Sequence, residues 1–212
     1  MRSILQAAGW AGFILLGQAA WGQAYDEFLR AIERGDAKSV ATYLDRGMDP
    51  DTTDRTGHTV LMTAARLGYA ELTALLIERK ASVGKRSPHG DTALMIASLK
   101  GHLSIAKLLV EKGAQVSHDG WAPLHYAAFD GHADVVRFLL EKGAGKDALA
   151  PNGYSALMLA ALGGHVEAAR ALLHEDVDLG TKGPNGETAL TIARQRGHAA
   201  LAELLRRAGA VE

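Results

Sequence analysis

The 212-residue chain has no cysteine, which excludes disulfides and thiol chemistry and leaves stability to packing alone. An excess of one charge sign is missing as well. Against 24 Asp and Glu stand 23 Lys and Arg, for a formal net charge of -1, and a nucleic-acid partner would demand a clustered basic surface to displace counterions from phosphates. Aromatic residues supply only 6% of the chain, so a place where several gather carries information. The uncharged apolar run from Ile4 to Leu16 is shorter than the roughly 20 residues a membrane-spanning helix needs. Catalytic signatures are absent too. No Gly-x-Ser-x-Gly elbow occurs, and His174-Glu175-Asp176 lacks the second His of a helical zinc-protease motif. Gly143-Ala-Gly-Lys146 has Leu140 where a phosphate loop needs its first Gly and Asp147 where it needs Ser or Thr. Scattered carboxylates solvate a surface more often than they pair for acid–base work. The expectation is a chain that is not an enzyme and needs no cofactor or metal. With 48% hydrophobic residues it is nonetheless a folding chain rather than a disordered one.

The first residues stand apart. Met1-Arg2-Ser3 is a short positive start, the apolar run follows, and small residues at Ala19, Ala20, Gly22 and Ala24 precede acidic Asp26 and Glu27. This order predicts a secretory signal peptide over residues 1–24, cleaved after Gly22 or Ala24. The alternative is a membrane-tethered scaffold that keeps the apolar segment as its anchor. No Cys follows the run to receive a lipid, so the expected product is free of the membrane after cleavage. A bacterial signal, which its brevity and the Ala-rich composition suggest, delivers it to the periplasm.

From Tyr25 to Glu212 the chain repeats with a period of about 33 residues. Gly68, Gly101, Gly131, Gly164 and Gly197 recur at equivalent points, and His102, His132, His165 and His198 follow four of them. Ahead of each lies a signature: Gly57-His-Thr-Val-Leu-Met, Gly90-Asp-Thr-Ala-Leu-Met, Gly120-Trp-Ala-Pro-Leu-His, Gly153-Tyr-Ser-Ala-Leu-Met and Gly186-Glu-Thr-Ala-Leu-Thr. An apolar stripe follows each, such as Val135-Val136-Arg137-Phe138-Leu139-Leu140. The pattern resembles the ankyrin repeat over nearly everything after Gln23. That family usually has Thr-Pro-Leu-His; here only the Gly120 copy keeps Pro123 and His125, with Ala122 for Thr. Met62, Met95, Met158 and Thr191 occupy the His position elsewhere, which places the hydrogen-bond network built on that His in question. The resemblance implies an all-α repeat solenoid of about six helix-turn-helix units with β-turn fingers. The expected domain at 25–212 divides into a capping repeat at 25–51, internal repeats at 52–84, 85–116, 117–147 and 148–180, and a C-terminal capping repeat at 181–212.

Periodicity places the helices. In the Gly120 copy the inner helix is expected from Pro123 to about Asp130, with proline in the first turn where its missing donor is harmless. The outer helix runs from His132 to Glu141 and buries Val135, Val136, Leu139 and Leu140. Neither helix hides its apolar face alone, so neighbouring copies must stack. One finger is irregular: Gly113 and Gly120 are seven apart where other copies have about ten, so three residues are missing before Trp121. Such a gap is loop drift or a notch for a partner.

The recurring His residues invite a metal reading, but zinc needs nitrogens converging at about 2.0 to 2.1 Å, whereas stacked helices sit about 8 to 10 Å apart. They are read as structural turn residues, and Met62, Met95 and Met158 as core rather than a thioether ladder. By resemblance to the family, ligands bind the concave surface of fingers and inner helices. Its exposed positions are expected to be Arg55, Thr56, His58, Thr63, Arg66 and Leu67 in one copy and Pro88, His89, Asp91, Ile96, Leu99 and Lys100 in the next. The following two give His118, Asp119, Trp121, Tyr126, Phe129 and Asp130, then Pro151, Asn152, Tyr154, Leu159, Leu162 and Gly163. Four aromatics thus fall on one strip, and Trp and Tyr are enriched at binding hot spots. The competing account is that Tyr126 and Phe129 pack against neighbouring helices. The expected site is Trp121, Tyr126, Phe129, Tyr154, His118, Asp119, Asp130, Asn152 and Leu159, its partner a protein bound by a monomer.

Overall fold

The computed structural model describes residues 22–211, so the expected signal segment lies, all but its last residues, outside the described part. Twelve helices occur among the described residues: α1 at 22–33, α2 Ala37–Asp45, α3 Val60–Leu67, α4 Ala70–Glu78, α5 Ala93–Leu99, α6 Leu103–Glu111, α7 Pro123–Phe129, α8 Ala133–Glu141, α9 Ala156–Gly163, α10 Val166–Leu173, α11 Ala189–Gln195 and α12 Ala199–Arg207. They form an all-helical repeat stack. α3, α5, α7, α9 and α11 pack in sequence as an inner row, and α2, α4, α6, α8, α10 and α12 as an outer row.

Local chemistry starts each inner helix. Thr59, Thr92, Ser155 and Thr188 are N-caps whose hydroxyls accept from the amides of Met62, Met95, Met158 and Thr191 at 3.2 to 3.4 Å, satisfying a donor that the helix cannot. Ala122 has no hydroxyl, and α7 begins instead on Pro123. The inner row is lined by buried small residues, including Ala64, Ala97, Ala127, Ala160 and Ala193, which let the helices approach closely. Branched side chains fill the space beneath: Leu72, Leu76, Ile105, Leu109, Val135, Val136, Leu139, Leu172, Leu201 and Leu205 are all buried. The expected stripe in α8 needs one correction. Leu140 is only half-buried, and Phe138 takes the core position beside Leu139.

The turn histidines stitch each repeat to the one before. His102, His132, His165 and His198 place Nε2 3.3, 3.0, 3.0 and 3.3 Å from the carbonyls of Arg66, Leu99, Phe129 and Leu162. A carbonyl only accepts, so each ring carries its proton on Nε2. The rings lie over Gly68, Gly101, Gly131 and Gly164, whose left-handed backbone and lack of Cβ both serve the contact: an added Cβ would fall 2.4 Å from His132 at Gly101. Tyr69 does the same work at the N-terminal end, with its hydroxyl 3.1 Å from the Glu33 carbonyl and its ring over Gly35. At Gly197, in the last described copy, an added Cβ would meet nothing within 4 Å.

Outer helices end on a residue with positive φ. Gly47, Gly113 and Gly143 fill that place in three copies, and Lys80 (φ 72) and Asp176 (φ 54) in two others. Ten residues separate each of these from its finger glycine except between Gly113 and Gly120.

Candidate protein-binding face

Four fingers share a closed turn. The N–H of Asp54, Ser87, Ala150 and Gly183 donates to the carbonyl of His58, Asp91, Tyr154 and Glu187, and Gly57, Gly90, Gly153 and Gly186 donate back to the first residue, all between 2.8 and 3.1 Å. In the finger before Trp121 the three missing residues include the one that makes both bonds. Neither bond forms there.

Two of the four aromatics, Trp121 and Tyr126, are in ring contact beside this open finger. Trp121, half-buried, sets its ring 5.5 Å from that of Tyr126 and 6.0 Å, edge-on, from that of His125. Tyr126 on α7 donates its hydroxyl to Asp91 Oδ1 at 2.6 Å, across to the preceding finger. Burial, then that hydrogen bond and the Asp91 charge, raise the phenol pKa, so the hydroxyl stays a donor. Phe129, one turn on along α7, is 49% exposed and Asp130 beside it is exposed as well. Tyr154 donates to Glu187 Oε1 at 2.6 Å in the following finger, which lowers the Glu187 carboxyl pKa and raises that of the phenol. Asn152 Oδ1 accepts from the Tyr154 amide at 3.2 Å. Asp119 is exposed, and His118 is turned inward at the base of the finger.

Three expected surface positions are not surface. Leu159 is 1% exposed, and Thr63 and Ile96 are buried likewise, because the residue after the His position faces the neighbouring inner helix. Tyr126 at the same place escapes only because its long ring reaches past that helix to Asp91. Leu159 therefore leaves the candidate site. Tyr154 also differs from expectation. It lies half-buried between fingers with its hydroxyl bonded, so it is not a free solvent-side ring.

A hollow lies beyond the four aromatics toward the C-terminus. About 380 Å³ in volume, it opens between Tyr154 and Glu187 on the fingers and Leu162, Gln195 and Arg196 at the inner-helix ends, floored by Thr191 and Ile192. Glu187, Gln195 and Arg196 are the next-repeat equivalents of Tyr154, Leu162 and Gly163, so extending the same register by one copy would have found them. Leu149, 49% exposed on the finger before Tyr154, was missed because it falls outside that register.

His125 keeps the network that other copies have traded away. Its Nδ1 accepts from the Ala122 amide at 3.0 Å, and Nε2–H donates to the Ala148 carbonyl at 2.9 Å in the next loop. Burial lowers its pKa, as the charge of His118 also does, against the opposing effect of the Ala148 carbonyl. Met95 sulfur and Thr191 hydroxyl accept from the Thr92 and Thr188 amides in the same manner but reach no further.

No curated protein shows a significant match to the chain. The family described as ankyrin repeats (3 copies) matches residues 28–119, 81–150 and 124–211. With inner helix, turn, outer helix and finger recurring in register across that span, the chain belongs to the ankyrin repeat family.

Proposed function

We propose that the protein captures a partner protein on its concave face without performing chemistry, the contact running from Trp121, Tyr126 and Phe129 to the hollow beside Tyr154. Ankyrin repeats generally mediate protein–protein interaction, and the observation that carries this placement is the exposed Phe129 continuing a Trp121–Tyr126 ring pair. Apolar surface rimmed by Asp119, Asp130 and Arg196 has the make-up of a protein interface. The partner meets a preformed wall, because hydrogen bonds from Tyr126 and Tyr154 hold two of the rings before binding. In the same reading the chain is exported to the periplasm, loses its first 22 to 24 residues as the signal order suggests, and acts as a monomer.

Affinity capture from a periplasmic extract tests the reading. The mature chain is the bait, compared with Phe129→Ala and Leu162→Asp, which leave the finger bonds intact. Loss of a central interface aromatic costs about 2 kcal/mol, or roughly thirtyfold in affinity. Both variants should lose the captured protein while Arg55→Ala retains it. Capture unaffected by both, and lost with Arg55→Ala, would move the interface to the N-terminal copies. Intact mass of the exported chain reads the cleavage, and a retained Met1 or Arg2 would refute it.

A further inference from the structure

Three pairs of neighbouring loops are joined by one recurrent bond. Counting from the positive-φ residue that closes each outer helix, the side chain four places on accepts from the amide two places on in the next loop. Asp51 accepts from the Ser82 N–H at 2.8 Å, Ser117 from that of Gly145 at 3.0 Å, and Asp147 from that of Asp178 at 2.8 Å. Between the loops that start at Lys80 and Gly113 the bond is missing. Gly84 stands where the accepting side chain belongs, and among the described residues the Gln115 amide has no acceptor. What remains is a hollow of about 230 Å³, lined by Gly84, Arg86, Thr92, Gln115 and His118.

The lining is set for an acceptor. Arg86 spends one donor on the Gly90 carbonyl at 3.0 Å, and a guanidinium has five. Lys85 is turned to the other side, 3.3 Å from the Asp51 carbonyl. His118 donates Nδ1–H to the Asp119 carbonyl at 2.8 Å, and its Nε2 is buried with no hydrogen-bond partner. An unmet buried nitrogen is unfavourable until something pairs with it.

We propose that this hollow is a carboxylate receptor. The bound group takes the place of the Asp side chain that Gly84 omits: one oxygen accepts from the Gln115 amide, as Asp51 does from Ser82, and the other accepts from Arg86. His118, as an imidazolium with protons on both ring nitrogens, keeps Nδ1–H on the Asp119 carbonyl and donates Nε2–H to the same group. The site lies on the loops, not on the aromatic strip, and stands whether or not the concave face binds a protein. Carboxylate reaches it from an acidic side chain of a docked protein or from a free small acid.

Amide NMR on the ¹⁵N-labelled protein separates these cases. Sodium acetate, N-acetyl-Gly-Asp-Gly-amide and its Asn counterpart are titrated at constant ionic strength. The Gln115 amide should shift saturably with acetate and the Asp peptide but not with the Asn peptide. Binding of the peptide at least tenfold tighter than acetate identifies a protein carboxylate as the natural occupant, and equal binding a free acid. Gly84→Asp supplies the carboxylate internally. Gly84 lacks a left-handed φ and a Cβ there meets nothing within 4 Å, so the variant should fold, melt higher, show the Gln115 amide already shifted, and no longer titrate. Arg86→Gln, on an exposed residue, should weaken the titration roughly tenfold, as expected for one charge-assisted hydrogen bond. A Gln115 amide unmoved by both carboxylates, or a titration that survives Gly84→Asp or Arg86→Gln unchanged, overturns the proposal.

Discussion

Gly101 and His132 supply a quantitative test of how the repeats are held together. An alanine Cβ at Gly101 would sit 2.4, 2.6 and 2.8 Å from Nδ1, Cε1 and Cγ of His132, against an optimum of about 3.5 to 4.0 Å between nonbonded atoms. The ring has little freedom to retreat, since Nε2–H is bonded to the Leu99 carbonyl at 3.0 Å with Asp130 Oδ2 3.1 Å away. Gly101→Ala therefore meets two penalties: about 1 to 2 kcal/mol for a left-handed non-glycine and about 1 to 3 kcal/mol for overpacking. His132→Ala alone loses one inter-repeat hydrogen bond, about 1 kcal/mol, and the ring's packing on the glycine, for a total of about 2 kcal/mol. In the double variant the clash has no partner. It should be about 1 to 3 kcal/mol more stable than the sum of the single effects predicts. Gly197→Ala is the internal control, because Gly197 has the same positive φ (77°) and nothing within 4 Å; only the backbone penalty applies. Urea unfolding followed by circular dichroism reads all four, and at a slope of about 2 kcal/mol per M the coupling displaces the midpoint by about 0.5 to 1.5 M. Additive effects in the double variant, or a Gly197→Ala cost equal to that of Gly101→Ala, would refute the stitching argument.

Leu109→Ala should cost about 3 to 4 kcal/mol and Leu205→Ala about 2 kcal/mol, within the usual range for large-to-small core changes. Both side chains are fully buried, but within the outer row α6 is flanked by α4 and α8 whereas α12 meets, among the described residues, α10 alone; urea midpoints that rank the other way would contradict this. Acid should weaken the centre of the stack through His125, whose folded-state pKa lies below its ordinary value near 6.5. An unfolded chain then takes up the proton first, so this contribution to stability is full above about pH 6.5 and is lost as pH falls through the folded-state value. Replacing it by the residue found in three other copies, His125→Met, should give a shallower loss of melting temperature between pH 7 and 5; parallel pH profiles would show that His125 does not contribute.

The repeat, its register and the division into inner and outer helices are all legible in the sequence, because each depends on local periodicity and on glycines that end helices. The role of the turn histidines as structural residues follows from spacing too, though not their partners: a carbonyl 33 or 36 residues earlier becomes a neighbour only once repeats stack. Lys80 and Asp176 show the limit on the other side. Neither is the glycine that fills this place in other copies, yet both take the left-handed backbone that closes an outer helix.

The chain's own pattern determines the fold, since every unit must bury the same stripe and can do so only against a copy of itself. Which surface residues are available was decided by tertiary contact. Leu159 and Tyr126 occupy equivalent positions, yet one is buried by the neighbouring helix and the other reaches beyond it to Asp91. Tyr154 looked like a free finger ring and is bonded to Glu187 in the next finger. The deletion before Trp121 and the glycine at position 84 are visible in the sequence. Their meeting at one hollow depends on two loops that start at Lys80 and Gly113, far apart in the chain and adjacent in the stack.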